Sequence, residues 1–137
     1  MTWVANYVGM PFVDGGRDRK GCDCWGLVRL IYQNELKIEL PSYGEISATD
    51  LVSIRDAMVD GRHNVETWVP VVGTPKEFDV VVMAWAGRNF AGHVGIAIDG
   101  LRLIHTEKGV DAAIVPMKHM SIKHRILGVY RHRSMAA

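Results

Sequence analysis

Gly21-Cys22-Asp23-Cys24-Trp25-Gly26-Leu27-Val28 decides how this chain is read. It is a loop running directly into a helix, with a thiol at the join. From Cys24 onward Leu27, Val28, Ile31 and Tyr32 recur at helical spacing, flanked by Arg29, Gln33 and Glu35. Asp23 is the natural N-cap, because its carboxylate can accept from the free amides of the first turn. Cys24 then takes the first helical position, where the positive end of the helix dipole favours a thiolate and so a nucleophile. Gly26 costs the helix about 1 kcal/mol relative to alanine, which points to close approach of another segment or a ligand. The helix is expected over residues 24–36, ending before Pro41.

Upstream, residues 1–10 read as a short first helix or turn, and Gly15-Gly16 opens a polar loop leading to Cys24. Downstream, Thr49-Asp50 caps a second helix reaching Gly61. Residues 62–77, broken by Pro70, Gly73 and Pro75, read as a loop with a short extended piece. The second half changes character. Phe78 to Trp85 is an apolar run of strand length, as in a central strand covered on both faces. Arg88-Asn89 suits a turn, and Asp99-Gly100 a hairpin between 93–98 and 101–106. Ile114-Val115 and 126–130 supply two further strands. Helices followed by strands predict an α+β domain with an antiparallel sheet. At 137 residues a single domain over 1–137 is expected.

The hairpin sorts the six histidines. A two-residue loop would turn His93 and His105 to opposite faces. A three-residue loop, Ile98-Asp99-Gly100 with Gly100 left-handed, pairs Ala97 with Leu101 and sets His93 directly opposite His105. Gly95 and Ala97 share that face and would leave room for the Cys24 helix. Cys24 could then attack a carbonyl carbon as a thiolate ion-paired with His93, while His105 orients His93 and the Cys24 amide receives the oxyanion. A zinc site from Cys22, Cys24, His93 and His105 is the alternative by ligand type, against the scarcity of Cys-x-Cys among structural zinc sites. His63, His119, His124 and His132 lie in polar surroundings and are expected to be solvated. Trp25 and Trp85 read as core or groove wall.

A net charge of +1 argues against a nucleic-acid partner. The basic stretch from Lys118 to Arg133 is expected to be a solvated edge strand and terminus. No apolar run approaches the roughly 20 residues needed to cross a bilayer, and no signal peptide or lipobox is visible. Synthesis in the cytoplasm is expected, with something else carrying the protein outward if it acts outside the cell.

In their order, Gly9 to Gly16, Asp23-Cys24-Trp25-Gly26-Leu27-Val28, Phe78-Asp79-Val80-Val81, His93-Val94-Gly95-Ile96 and Ile104-His105 resemble the NlpC/p60 cysteine peptidases over residues 5–110. That resemblance implies a papain-like fold with N-terminal helices on an antiparallel sheet. It implies cleavage of peptidoglycan stem peptides, commonly between D-glutamate and diaminopimelate, with no cofactor or metal. Cys24 would be nucleophile, His93 base and His105 the orienting residue, with Asp23, Phe12 and Trp25 on the oxyanion and substrate side. The family often has tyrosine where this chain has Phe12, which bears on rate rather than chemistry. Asp-Cys-Trp-Gly-Leu-Val-Arg followed by Pro41-Ser42-Tyr43-Gly44 resembles the stand-alone members of phage tails and gene transfer agents. The partners implied are stem peptides and other tail-tip or baseplate proteins. The rival function is a structural tail-assembly protein with a vestigial or peptide-binding site.

Overall fold

The structure, a computed structural model, describes residues 2–40, 68–84 and 91–136. The expected second helix, the Pro41 to Gly44 motif, His63, Trp85 and the Arg88-Asn89 turn lie outside the described residues.

The chain opens with a 3-10 turn, Thr2–Asn6, in which Trp3 and Val4 are buried together with Tyr7 just beyond. A two-residue ribbon follows, β1 (Arg17–Asp18) against β2 (Gly21–Cys22), and delivers the chain to helix α1 (Cys24–Ile31). One π-helical turn, Tyr32–Leu36, extends it to the expected end, where Lys37 adopts the left-handed conformation. Among the described residues α1 is the only α-helix, preceded by the 3-10 turn, where the sequence led to an expectation of several N-terminal helices.

The strands are β3 (Trp68–Pro70), β4 (Val80–Ala84), β5 (Ala91–Ala97), β6 (Arg102–Glu107), β7 (Val110–Pro116) and β8 (Ile126–His132). They form one six-stranded sheet in the order β3-β8-β4-β5-β6-β7, each pair antiparallel. β4 is buried along its whole length, as its unbroken apolar run requires. β8 is not the solvated edge expected of the basic stretch: the chain crosses back and inserts it between β3 and β4. Two arginines of the basic stretch, Arg131 in β8 and Arg125 just before it, are consequently engaged. Arg131 donates through Nε and Nη2 to buried Asp79, both at 2.8 Å, and Arg125 pairs with Glu107. His132 is half-buried, its ring edge-on to Trp68 at 5.3 Å between centroids. His119 and His124 are exposed.

The β5–β6 hairpin departs from the expected register by one pleat. Ile96 pairs with Ile104 and Ala97 with Leu103, not with Leu101. The cause is Asp99, whose Oδ1 accepts from the Leu101 and Arg102 amides while Oδ2 binds the Arg102 guanidinium. That side-chain-capped turn places Ile98 against Arg102, and Gly100 is not among the residues with positive φ. A two-residue slip preserves the face of every side chain. His93 and His105 therefore stay on one face, as diagonal rather than direct neighbours.

Two apolar clusters form among the described residues. Leu27, Val28 and Ile31 of α1 pack in one cluster with Val80, Val82, Val94, Ile96 and Ile104. Ala97 belongs to the other, with Val81, Met83, Leu103 and Ile122. The helix thus rests on positions 94, 96 and 98, not on the positions shared by Gly95 and Ala97 as expected. A Cβ on Gly95 would instead crowd the His105 Cβ at 3.1 Å, so that glycine makes room for the second histidine.

Candidate active site

The start of α1 is fixed by a network centred on Asp23. Its Oδ1 caps the helix by accepting from the Gly26 amide at 2.8 Å, and takes a second bond from Arg17 Nη1 at 2.6 Å. Its Oδ2 accepts from the Gly15 amide at 3.2 Å. Gly26 lacks a side chain for a visible reason: a Cβ there would collide with the Gly16 carbonyl oxygen. The glycine loop and the helix start are thereby locked together, and Cys24 occupies the first helical position as the spacing predicted.

Cys24 and His93 line one open cleft of about 620 Å³, together with Phe12, Asp14, Asp23, Gly92, Thr106, Glu107, Lys108 and Arg125. Cys24 reaches this cleft from the N-terminal end of the helix. His93 Nε2 lies 2.7 Å from His105 Nδ1, a buried hydrogen bond between the rings. This commits one nitrogen of His93 and leaves Nδ1 as the atom for proton exchange with a thiol. Behind the pair stands Glu107, its Oε2 3.9 Å from His93 Nε2. Arg125 holds that carboxylate in a two-pronged grip of 3.0 and 2.9 Å.

Electrostatics overturn the expected resting state. Burial pushes the Cys24 thiol up to about 12, with the Asp23 carboxylate adding to the rise. Backbone hydrogen bonds from Val94 and Trp25 pull the other way and are outweighed. Burial pushes His93 down to about 3, against the raising influence of Glu107. His105 is lowered by burial as well. At neutral pH the site rests as thiol and neutral imidazoles, not as the thiolate–imidazolium pair that the helix position suggested. Desolvation outweighs the helix dipole because both groups are almost wholly buried.

Trp25, read as core or groove wall and placed on the substrate side by resemblance, and the alternative zinc set are both decided by the structure. Trp25 is 1% exposed and belongs to the core beside Leu27 and Val28, not to the cleft wall. The zinc set is not assembled either: the buried Cys22 thiol donates to Met10 Sδ at 3.4 Å. The possible metal ligands gathered among the described residues are His93, His105 and Glu107, whose donor atoms lie within 4.8 Å of one another. Their mutual hydrogen bond and the Arg125 grip already engage those donors, and the guanidinium opposes a cation.

Glu107 and Arg125 were not anticipated. Glu107 could have been, since it lies two residues beyond His105 on one strand and alternation gives both the same face. Arg125 could not, because only the insertion of β8 beside β4 brings it there.

The NlpC/P60 family model matches residues 9–131. The chain belongs to the NlpC/P60 family. Its relatives include the murein DD-endopeptidase MepH of Escherichia coli K12, 28% identical over 109 residues, a match covering 79% of this chain and 35% of MepH. Among solved structures, the NlpC/p60 domain of the peptidoglycan hydrolase SagA superimposes with a TM-score of 0.62 at 21% identity, covering 95% of this chain and 93% of that one. A family protein from Bacillus cereus ATCC 10987 superimposes with a TM-score of 0.68 at 20% identity, covering 96% of this chain and 38% of that one. The chain therefore spans about a third of its curated relative and has the NlpC/P60 fold, in which the described residues form an antiparallel sheet and one α-helix.

Proposed function

We propose that this chain, a single domain over 1–137, is a cysteine endopeptidase of peptidoglycan stem peptides, with Cys24 as nucleophile, His93 as base and His105 as orienting residue. The observation that carries the reading is one cleft lined by both Cys24 and His93, the latter an imidazole already hydrogen-bonded to a second one. Family membership, and a relative named as a murein endopeptidase, support the substrate class.

The chemistry follows from a neutral resting pair. As Cys24 Sγ attacks the scissile carbonyl carbon, its proton passes to His93, and charge develops only during bond formation. The Cys24 amide, at the helix start, donates to the oxyanion. The C–N bond then breaks, His93 returns the proton to the departing amine, and a thioester remains. Water, deprotonated by His93, attacks the thioester and releases the carboxyl product and the free thiol. Phe12 lines the cleft without a hydroxyl, so the oxyanion takes no bond from that side chain. Asp23 serves this step by fixing the helix start.

The sequence motifs further support an enzyme of a phage-type or gene-transfer-agent tail tip. It would be made in the cytoplasm, borne by baseplate proteins and used on the cell wall during DNA delivery. Digestion of purified peptidoglycan by wild type and by Cys24→Ala, with products identified by mass spectrometry, tests the enzyme. Wild type alone should release stem-peptide fragments. A folded wild type that releases none would overturn the peptidase and favour a structural tail component.

A further inference from the structure

We propose that Glu107, held by Arg125, is a positioning residue that supplies the counter-charge for the His93 imidazolium formed when Cys24 reacts. The inference rests on the peptidase reading for its consequence, though not for its geometry.

A neutral resting pair makes the cost of reaction electrostatic. His93 must become a cation in a site where it is 4% exposed, and His105, itself neutral, can orient the ring but cannot balance its charge. The charged or titratable side chains around His93 among the described residues are Cys24, Asp14, Asp23, His105, Glu107, Lys108 and Arg125. Arg125 is cationic and opposes protonation of the ring. Asp23 is engaged by Arg17 and two backbone amides. Glu107 is the anion in ion-pairing reach of His93 Nε2, at 3.9 Å. Its attraction favours the charged form of both His93 and His105.

Arg125 makes the arrangement fixed rather than incidental. It donates from Nη1 and Nη2 to the two carboxylate oxygens, and from Nε to the Ala84 carbonyl of β4. The fork keeps Glu107 ionised despite half-burial and holds Oε2 toward the imidazole. A carboxylate so placed stabilises the imidazolium more than the resting pair, which is the condition for raising kcat rather than tightening substrate.

Glu107→Gln keeps the size and removes the charge, while Glu107→Asp keeps the charge and withdraws it by one methylene. The first readout is the rate at which iodoacetamide labels Cys24 at pH 7, which reports the thiolate–imidazolium fraction without any substrate. It should fall about tenfold in Glu107→Gln, the equivalent of one unit of proton affinity, and less in Glu107→Asp. The second is peptidoglycan digestion, where kcat should fall with KM held and the acid limb of kcat/KM should move to lower pH. A purely structural Glu107 would leave labelling and acid limb in place. Equal labelling of folded wild type and Glu107→Gln, or a Cys24 unreactive in both, would overturn the inference. Should Glu107→Gln fail to fold, labelling of Glu107→Asp at the wild-type rate would overturn it equally. Slowed labelling in a protein that digests no peptidoglycan would leave the counter-charge standing and remove the peptidase.

Discussion

Burial acts on Cys24 and His93 in opposite directions and leaves both neutral. The consequence is a stability profile bounded on both sides. A histidine ordinarily takes its proton near pH 6.5, whereas His93 in the fold resists until about 3. Stability present above pH 6.5 is therefore lost as pH falls through that window, because the unfolded chain binds a proton that the native state refuses. The thiols behave conversely. Cys24 and Cys22 are both raised from 9 to about 12, so stability present below pH 9 is lost as pH rises toward 12. Urea midpoints measured from pH 4 to 10 should form a dome, and His93→Asn should flatten its acid side. An acid side unchanged in that variant would mean that His93 is not the group responsible.

At the scale of elements, helix α1 is defined by its neighbours as much as by its own sequence. Its start is a local device, Asp23 capping Gly26, which a reader of the sequence can place. Its tolerance of substitution is not local. Gly26→Ala should raise helix propensity by about 1 kcal/mol. The Gly16 carbonyl nevertheless stands where the new methyl would go, and overpacking against backbone costs about 1–3 kcal/mol. Net destabilisation is expected, read as a lowered urea midpoint at constant m-value, with Cys24 displaced and activity reduced. A stabilised Gly26→Ala would show that the glycine loop can give way.

The whole molecule is tied together by the return of β8. Its insertion joins Arg131 to Asp79 at the start of β4, whose carboxylate also accepts from the Lys76 amide at 2.8 Å. The same return carries Arg125 to Glu107 behind the cleft. Asp79 is fully buried, so Asp79→Ala should destabilise by about 3 kcal/mol, the usual cost of removing one member of a buried pair. The loss should appear in global unfolding by denaturant, not as local fraying of the C-terminus in hydrogen exchange. A midpoint equal to that of wild type would make the pair ornamental to folding.

The sequence by itself determined what neighbours along the chain can settle. The Asp23 cap, Cys24 at the first helical turn, an end to the helix near residue 36, the buried run of β4 and the common face of His93 and His105 all follow from hydrogen bonds within a turn or from side-chain periodicity. Even the misjudged hairpin kept that face, because a slip of two residues leaves alternation intact. Only the tertiary structure decided the rest. Strand order placed β8 beside β4, and the Asp99 side chain set the hairpin register. The core enclosed Trp25 and Cys22, and Arg125 was brought to Glu107 from across the sheet. It also decided the protonation of the site, because desolvation depends on what covers a group from every direction, and most of what covers Cys24 and His93 is distant in sequence.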